Sequence, residues 1–286
     1  MPTTIITDST AYLPLSAINN LDIGVVSLNM VYSDHQCREL DLDFDQFYAD
    51  LPAINNLPTT SQPAPAEVLS CFDHYLQQGH DIVGIFISSL ISGTFETIYS
   101  VTSGLQERYP GARIELIDSK MTAMALGYPV MEAASWAREG MEAAMIAAKI
   151  RQMLPHMRLY FIPITLEYLR RGGRIGNISA TLGGILDILP VLHLNRGVVE
   201  LFKPARGRKA AINRICSSLE QDRQRIGVDK VFVVHASAPD TAGELAELIK
   251  ERFGMDAELY PIGPVVGVHA GPGALGIVYH LNDQLD

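Results

Sequence analysis

The amino-acid sequence predicts an α/β fold with two α/β domains, the first of them built on a mostly parallel, doubly wound sheet. Short apolar runs of strand length alternate with helical stretches through the first half of the chain, as in sheets whose parallel strands are joined by helices. The chain has 286 residues, of which 48% are hydrophobic and 19% charged, so it can bury two cores. Residues 1–154 hold 7 basic and 18 acidic residues, whereas residues 155–286 hold 15 and 14. This uneven charge supports domains over 1–157 and 158–286.

The first domain begins with a β-branched strand over residues 3–7, which ends at Asp8. Asp8 lies where the strand ends of open α/β sheets face a ligand crevice, although capping of the next helix explains it at least as well. The pattern that follows predicts further elements as far as residue 154. Strands are expected over 22–32, 81–87 and 113–118, and helices over 43–48, 65–78, the stretch from Phe95 to a break at Pro110, 121–139 and 142–154.

In the second domain, a short turn at 195–197 between two apolar runs predicts a β-hairpin. The stretch 263–277 is rich in glycine around His269, and we expect it to hold little core and to be backbone shaped around a ligand. The remaining pattern again mixes strands and helices. Strands are expected over 159–162, 191–194, 198–202, 230–235 and 256–260, and helices over 166–176, 179–189, 209–224 and 240–253.

Ser92, Gly93 and Thr94 form a turn between the apolar run 82–87 and the start of a helix. Glycine would let the backbone bend tightly and let a ligand approach closely. The first amides of a helix lack intrahelical partners and carry the positive end of its dipole. Together with the two hydroxyl groups, they suit a carboxylate or a phosphate. A cap that serves only the helix is the alternative, and this stretch alone leaves it open.

Residues 57–65 carry three prolines and four polar residues, which predicts a rigid loop before the next helix. Pro65 suits the first position of that helix, because its missing N–H would have no partner there. For the hydroxyl groups of Thr60 and Ser61, loop and cap chemistry is the simplest explanation.

Composition argues against several classes of function. The net charge of −10 argues against general nucleic-acid binding. Neither a P-loop nor a GxGxxG motif after a strand is present, so nothing indicates a nucleotide cofactor. Cys37, Cys71 and Cys216 are far apart and suggest neither a disulfide framework nor a metal site. No secretory signal and no apolar run of bilayer-spanning length is visible, so we expect a cytoplasmic protein without stable membrane insertion.

Six short motifs are spread over nearly the whole chain. In order they are Thr7-Asp8-Ser9-Thr10, Thr60-Ser61-Gln62-Pro63, Ser92-Gly93-Thr94-Phe95, Ile117-Asp118-Ser119, Leu169-Arg170-Arg171-Gly172-Gly173-Arg174-Ile175 and His269-Ala270-Gly271-Pro272-Gly273. Their order and spacing resemble the DegV family of fatty-acid-binding proteins. The chain departs from the family pattern at Ile91, at Ala64-Pro65 and at Leu189, where Leu, Ser and Lys are usual. None of these departures falls on Thr60, Ser92 or His269, which correspond to the residues that contact or lie close to the fatty-acid carboxylate in the family.

The resemblance implies a deep apolar ligand tunnel at the interface of the two domains. The tunnel holds a long-chain fatty acid such as palmitate, and no further cofactor or metal is implied. In the family the carboxylate touches the residues that correspond to Thr60 and Ser92, and the histidine that corresponds to His269 lies close by. Ser61 belongs to the same loop as Thr60, and Gly93 and Thr94 belong to the turn of Ser92, so these three are included in the expected head-group site.

The resemblance also gives a role to the basic segment 158–214, in which ten basic residues face only three acidic ones. Bacterial family members carry the fatty acid for a separate fatty acid kinase, which phosphorylates the bound acid to an acyl phosphate. Arginines at the positions of Arg174 and Arg206 are needed for that transfer. The chain itself is therefore expected to be a lipid carrier with no catalytic residue of its own.

Two other hypotheses remain open. Ser92 and His269 could form the acyl-transfer site of a hydrolase, with helix-start amides as an oxyanion hole. The turn is not a GxSxG elbow, however, and no orienting acid is evident. Residues 203–214 could instead bind DNA, although the acidic balance of the chain argues against it.

Overall fold

A computed structural model of the chain describes residues 1–54, 56–176, 178 and 189–282. The chain forms two compact units, unit 1 from Met1–Leu42 with Pro58–Pro155 and unit 2 from Asp43–Leu57 with His156–Asp286. The predicted domain boundary between residues 157 and 158, and the ligand tunnel expected at the domain interface, stay predictions. The apolar helix expected over 179–189 lies outside the described residues, except for Leu189, which begins a strand.

Strands and helices alternate along both units. The strands are β1 (Thr3–Asp8), β2 (Gly24–Val26), β3 (Asn29–Val31), β4 (Gln36–Arg38), β5 (Thr59–Ser61), β6 (Asp81–Phe86), β7 (Ile114–Asp118), β8 (Met157–Ile162), β9 (Leu189–Asn195), β10 (Val198–Ala205), β11 (Val228–His235), β12 (Glu258–Pro261) and β13 (Leu275–Leu281). The α-helices are α1 (Leu15–Leu21), α2 (Phe44–Asp50), α3 (Pro65–Gln77), α4 (Thr94–Thr102), α5 (Leu105–Arg108), α6 (Met124–Arg138), α7 (Ala143–Met153), α8 (Glu167–Arg171), α9 (Arg208–Arg225), α10 (Pro239–Phe253) and α11 (Pro264–Ala270). Within the described residues, no helix is both long enough and apolar enough to cross a bilayer.

The main sheet of unit 1 has the strand order β2-β1-β6-β7, and each pair of neighbouring strands in it is parallel. The chain builds outward from β1 to β2 on one side and from β6 to β7 on the other. The carboxyl ends of β1 and β6 therefore meet at a topological switch point, where open α/β sheets commonly bind ligands. The predicted parallel, doubly wound α/β fold is confirmed.

Helices cover both faces of this sheet. Ile6, Ile82 and Phe86 are fully buried in one cluster with residues of α3 and α4. Their strand neighbours Ile5 and Val83 are also fully buried, and they point to the opposite face because side chains alternate along a strand. There α6 and α7 pack against β1, β6 and β7. A strand buried on both faces explains why the run before Ser88 is continuously apolar.

The single strand predicted over 22–32 is wrong. This stretch forms β2 and β3, and β3 belongs to a separate antiparallel sheet of order β4-β3-β5. Two amides between them are captured by side chains: Ser27 N–H donates to Glu67 Oε1 over 2.9 Å, and Leu28 N–H donates to Ser9 Oγ over 3.1 Å. These bonds take the place of ladder bonds, so the chain leaves the parallel sheet. The stretch 57–65, predicted as a loop, supplies the third strand, β5.

Unit 2 is built on a six-stranded mixed sheet of order β10-β9-β8-β13-β11-β12. The predicted hairpin of β9 and β10 is confirmed, and its turn has left-handed backbone at Arg196 (φ 48°) and Gly197 (φ 92°). The main core of the unit includes Tyr160 and Ile277 from the sheet and Leu219 from α9. The core of unit 2 thus lies between this sheet and α9 and α10.

The expectation that residues 263–277 hold little core is wrong. Pro264–Ala270 is a helix, α11, and every residue of β13 is buried in the middle of the sheet. The glycine at 276 serves strand packing, because a Cβ there would lie 2.6 Å from the carbonyl oxygen of Tyr160 in β8. Glycine-rich sequence in a strand interior marks a close approach of two backbones as well as the approach of a ligand.

Candidate functional site

The Ser92 turn of unit 1 places two hydroxyl groups side by side at the start of α4. Ser92 Oγ and Thr94 Oγ1 lie 2.9 Å apart, and Thr94 N–H donates to Ser92 Oγ over 3.3 Å. The alternative of a Ser or Thr N-cap is wrong about the residue, because Gly93 is the N-cap of α4, but Ser92 Oγ still accepts one amide of the helix start. Ser92 is half-buried and Thr94 is fully buried, so their polar atoms act where water is limited.

Gly93 does not need to be glycine for the backbone. Its φ of −77° is open to any residue, so the predicted role in a tight bend is wrong. A Cβ at this position would lie 3.7 Å from Oε1 of Gln62, the nearest atom among the described residues apart from the chain neighbours of Gly93. The Ser92 turn therefore lies next to the Thr60 loop, which carries Gln62. Whether Gly93 leaves room for a ligand stays a prediction.

Thr60 and Ser61 lie in β5, which pairs with β3. Thr60 stands opposite Met30, and Ser61 stands opposite Asn29. The Asn29 side-chain amide donates to the carbonyl oxygen of Gln62 over 2.9 Å and so holds the chain after the strand. The two hydroxyl residues are half-buried and are placed by a sheet instead of by a free loop.

An ion pair that sequence reasoning missed supports the loop before Ser92. Asp118 Oδ1 accepts the Ser89 amide over 3.2 Å, and Lys120 Nζ lies 2.5 Å from Asp118 Oδ2 and 3.0 Å from Ser89 Oγ. Burial opposes ionisation of Asp118, but the hydrogen bonds from Lys120 and Ser89 outweigh it and hold the pKa below its ordinary value. The motif around Asp118 was visible in the sequence, but its partner Ser89 is 29 residues away.

In unit 2 the structure brings two of the sequence motifs together. A Cβ at Gly172 would overlap Nδ1 of His269 and would lie 2.8 Å from its Cε1. A Cβ at Gly271 would likewise lie 2.6 Å from the Tyr168 ring. The imidazole of His269, on α11, therefore packs directly against the glycine turn that ends α8. Only a residue without a side chain fits at position 172.

Arg174 sits beside the same turn, where its Nη1 donates to the Gly172 carbonyl oxygen over 2.6 Å. Burial lowers the pKa of the half-buried Arg174, which stays charged at neutral pH. Burial also lowers the pKa of His269 to about 4, and the positive charge of Arg174 contributes to this. The imidazole is therefore neutral at pH 7, with one N–H to donate and a cation close by.

Arg206 is exposed and directly precedes Gly207, the residue before α9. Gly207 has left-handed backbone with φ of 79°, which turns the chain out of β10. No group of three or more His, Cys, Asp or Glu residues suited to a metal ion occurs in the part of the chain that the structure describes.

Comparison with known proteins agrees with this architecture. The family model described as "Uncharacterised protein, DegV family" matches residues 2–282. DegV domain-containing protein CPE0304 of Clostridium perfringens is 37% identical over 279 residues, which cover 98% of this chain and 99% of that protein. The crystal structure of DegV from Bacillus subtilis, described as a fatty acid binding protein, matches this chain with a TM-score of 0.86 and 31% sequence identity. The match covers 99% of this chain and 100% of the Bacillus subtilis chain.

A second solved structure, the fatty acid binding DegV family protein SAG1342 from Streptococcus agalactiae, has a TM-score of 0.88 at 31% identity. The match covers 99% of this chain and 100% of the Streptococcus agalactiae chain. Both the family model and the relatives thus span the chain almost from end to end. The chain belongs to the DegV family.

Proposed function

We propose that this protein binds a long-chain fatty acid and holds its carboxylate with Thr60, Ser92 and His269. The observation that carries the proposal is the adjacency of the two hydroxyl-bearing loops, since Gln62 of the Thr60 loop lies beside Gly93 of the Ser92 turn. The Bacillus subtilis and Streptococcus agalactiae relatives, both 31% identical, are described as fatty acid binding proteins. Ser61 and Thr94 complete the proposed head-group site.

The chemistry of these groups suits a carboxylate. A carboxylate that leaves water must regain several hydrogen bonds, because an unpaired charge in a dry site costs several kcal/mol or more. Hydroxyl groups and a neutral imidazole can each donate a hydrogen bond to a carboxylate oxygen. The acyl chain contributes about 0.8 kcal/mol for each buried methylene, so its burial supplies most of the affinity and the head group supplies the specificity.

Freshly purified protein is expected to carry a bound fatty acid. Native mass spectrometry should show a mass excess that delipidation removes, and lipid extraction should identify the acyl chain. The delipidated protein should then take up palmitate at one site per chain. A protein that carries no acyl species and takes up none would contradict the proposed function.

The finer part of the proposal is that the protein is a carrier, which presents the bound carboxyl group to a separate fatty acid kinase. The planar guanidinium of an arginine pairs bidentately with phosphoryl groups and carboxylates, and exposed charges speed the encounter with an acidic partner. Arg174 beside His269 and the exposed Arg206 are the proposed transfer residues. No observation favours a hydrolase, since the Ser92 hydroxyl oxygen is engaged by the hydroxyl and amide of Thr94.

Arg174→Ala and Arg206→Ala are expected to bind fatty acid normally but to support little acyl-phosphate formation with the cognate kinase and ATP. Arg171→Ala is the matched control, because Arg171 lies in the same basic segment and its Nε pairs with Glu167 over 2.8 Å. The control should behave as the wild type. Phosphorylation of both variants at the wild-type rate, or loss of fatty-acid binding in step with phosphorylation, would contradict the role in transfer.

A further inference from the structure

The Thr7–Thr10 motif at the carboxyl end of β1 takes no direct part in the proposed head-group site. We propose that two of its residues, Asp8 and Ser9, are positioning residues that hold the Ser92 turn and the Thr60 loop in the geometry that selects a carboxylate. This inference rests on the proposed fatty-acid binding. It deepens that function, because it assigns the residues through which the two loops acquire their head-group specificity.

The Asp8 carboxylate holds the base of the Ser92 turn. Asp8 is fully buried, and its Oδ2 accepts the Ile87 amide over 2.7 Å. Its Oδ1 accepts the amide of Thr10 over 3.0 Å and also the Thr10 hydroxyl. Ile87 is followed by Ser88, whose carbonyl oxygen accepts the Ser92 amide over 3.1 Å. Two consecutive hydrogen bonds thus connect Asp8 to the backbone of Ser92.

The Ser9 hydroxyl holds the Thr60 loop through β3. Ser9 Oγ accepts the Leu28 amide over 3.1 Å and donates to Oε2 of Glu39, which is fully buried. Leu28 precedes Asn29, the residue that pairs with Ser61 and whose side-chain amide donates to the Gln62 carbonyl oxygen. Ser9 therefore fixes the strand on which the Thr60 loop is built.

Two adjacent residues at the switch point thus reach both loops, Asp8 through its own buried carboxylate and Ser9 through a hydroxyl group that donates to the buried carboxylate of Glu39. A helix cap explains the bond from Asp8 to the Thr10 amide, but it does not explain the bond to Ile87, 79 residues away. Buried carboxylates are expensive, and a fully paired network of them holds its members in one geometry. A binding site needs such support, because its groups must be held within roughly 0.5 Å of their working positions.

Asp8→Asn and Ser9→Ala test the inference. An asparagine side chain has one oxygen and one NH₂ group. The NH₂ group would face either the Ile87 amide or the Thr10 amide, both of which are donors, so one of the two hydrogen bonds would be lost. The readout is the affinity for palmitic acid divided by the affinity for hexadecanol at pH 8, both measured by displacement of a fluorescent fatty acid. The two ligands share the acyl chain and differ in the head group. A merely structural residue would weaken both alike.

Each variant is expected to lower the preference for the acid over the alcohol about fivefold, which corresponds to the net contribution of roughly one hydrogen bond. The affinity for hexadecanol should change by less than about twofold. Thr4→Val is the matched control. Thr4 is buried at the amino end of the same strand, and its hydroxyl lies 2.6 Å from Nδ1 of His80. Thr4→Val should lose stability without changing the preference.

The outcomes separate this inference from the proposed function. A wild-type protein that binds neither ligand contradicts fatty-acid binding itself. A wild-type protein that prefers the acid, together with folded Asp8→Asn and Ser9→Ala variants that keep the full preference, overturns the positioning role alone. If circular dichroism shows that Asp8→Asn does not fold, Ser9→Ala decides the inference by itself, since it breaks the connection from Ser9 to the Thr60 loop.

Discussion

Replacing either Ser92 or Thr60 with alanine is expected to weaken fatty-acid binding by about 1–3 kcal/mol, because the ligand carboxylate loses a buried donor and keeps its charge. In affinity this is roughly 5- to 150-fold. His269→Ala should have an effect of similar size. The double variant Ser92→Ala/Thr60→Ala should lose less than the sum of the two single losses, because both hydroxyls serve one carboxylate.

Titration of delipidated variants with a fluorescent fatty acid measures these losses. Ser100→Ala is the matched control, since Ser100 is an exposed hydroxyl residue on α4, the helix that begins at Thr94. Its affinity should equal that of the wild type. Unchanged affinity in Ser92→Ala, Thr60→Ala and His269→Ala alike would place the carboxylate elsewhere in the protein.

Gly172→Ala is expected to cost about 1–3 kcal/mol of unfolding free energy, the usual penalty for forcing an extra carbon into a packed interior. The new methyl group would overlap Nδ1 of His269, whose side chain is half-buried beside the turn. Relief of the clash requires His269 or the turn before Arg174 to move. Fatty-acid affinity should therefore fall together with stability.

Urea unfolding followed by fatty-acid titration of the folded variant checks both effects. Gly243→Ala is the matched control: Gly243 lies inside α10, and a Cβ there would come within 4 Å of no described atom outside the adjoining turns of the helix. That control should gain about 0.5–1 kcal/mol, because alanine favours a helix interior more than glycine does. Wild-type stability and affinity in Gly172→Ala would show that the turn accommodates a side chain.

Local patterns in the sequence predicted most of the secondary structure. The apolar runs before Ser88 and after Arg113 are strands β6 and β7, and the turn at Asn195–Gly197 joins a hairpin. These elements are determined by residues close together in the chain, through side-chain alternation and turn chemistry. The wrong prediction of a single strand over 22–32 comes instead from contacts with residues far away in the chain. The amides of Ser27 and Leu28 leave the ladder for Glu67 and Ser9, which no local pattern reports.

The candidate site shows the same division. The short motifs around Thr60, Ser92 and His269 could be found in the sequence, because hydroxyl residues and glycines cluster there. Their supporting contacts could not be found in this way. Asp118 beside Ser89 and Lys120 is one example, and the Tyr48 hydroxyl is another, since it donates to the carbonyl oxygen of Ile262, 214 residues away.

Local sequence patterns were enough to predict the alternation of strands and helices, the parallel sheet of unit 1 and the motifs that carry the family resemblance. They did not reveal that the glycines after Gly263 belong to a helix and a central strand, or that Gly172 packs against the imidazole of His269. The difference lies in the distance along the chain over which each effect acts. Periodicity and propensity act between neighbours in the chain, whereas a close approach such as that of Gly276 to Tyr160, or a bond such as that from Ile87 to Asp8, exists only after distant segments have packed together.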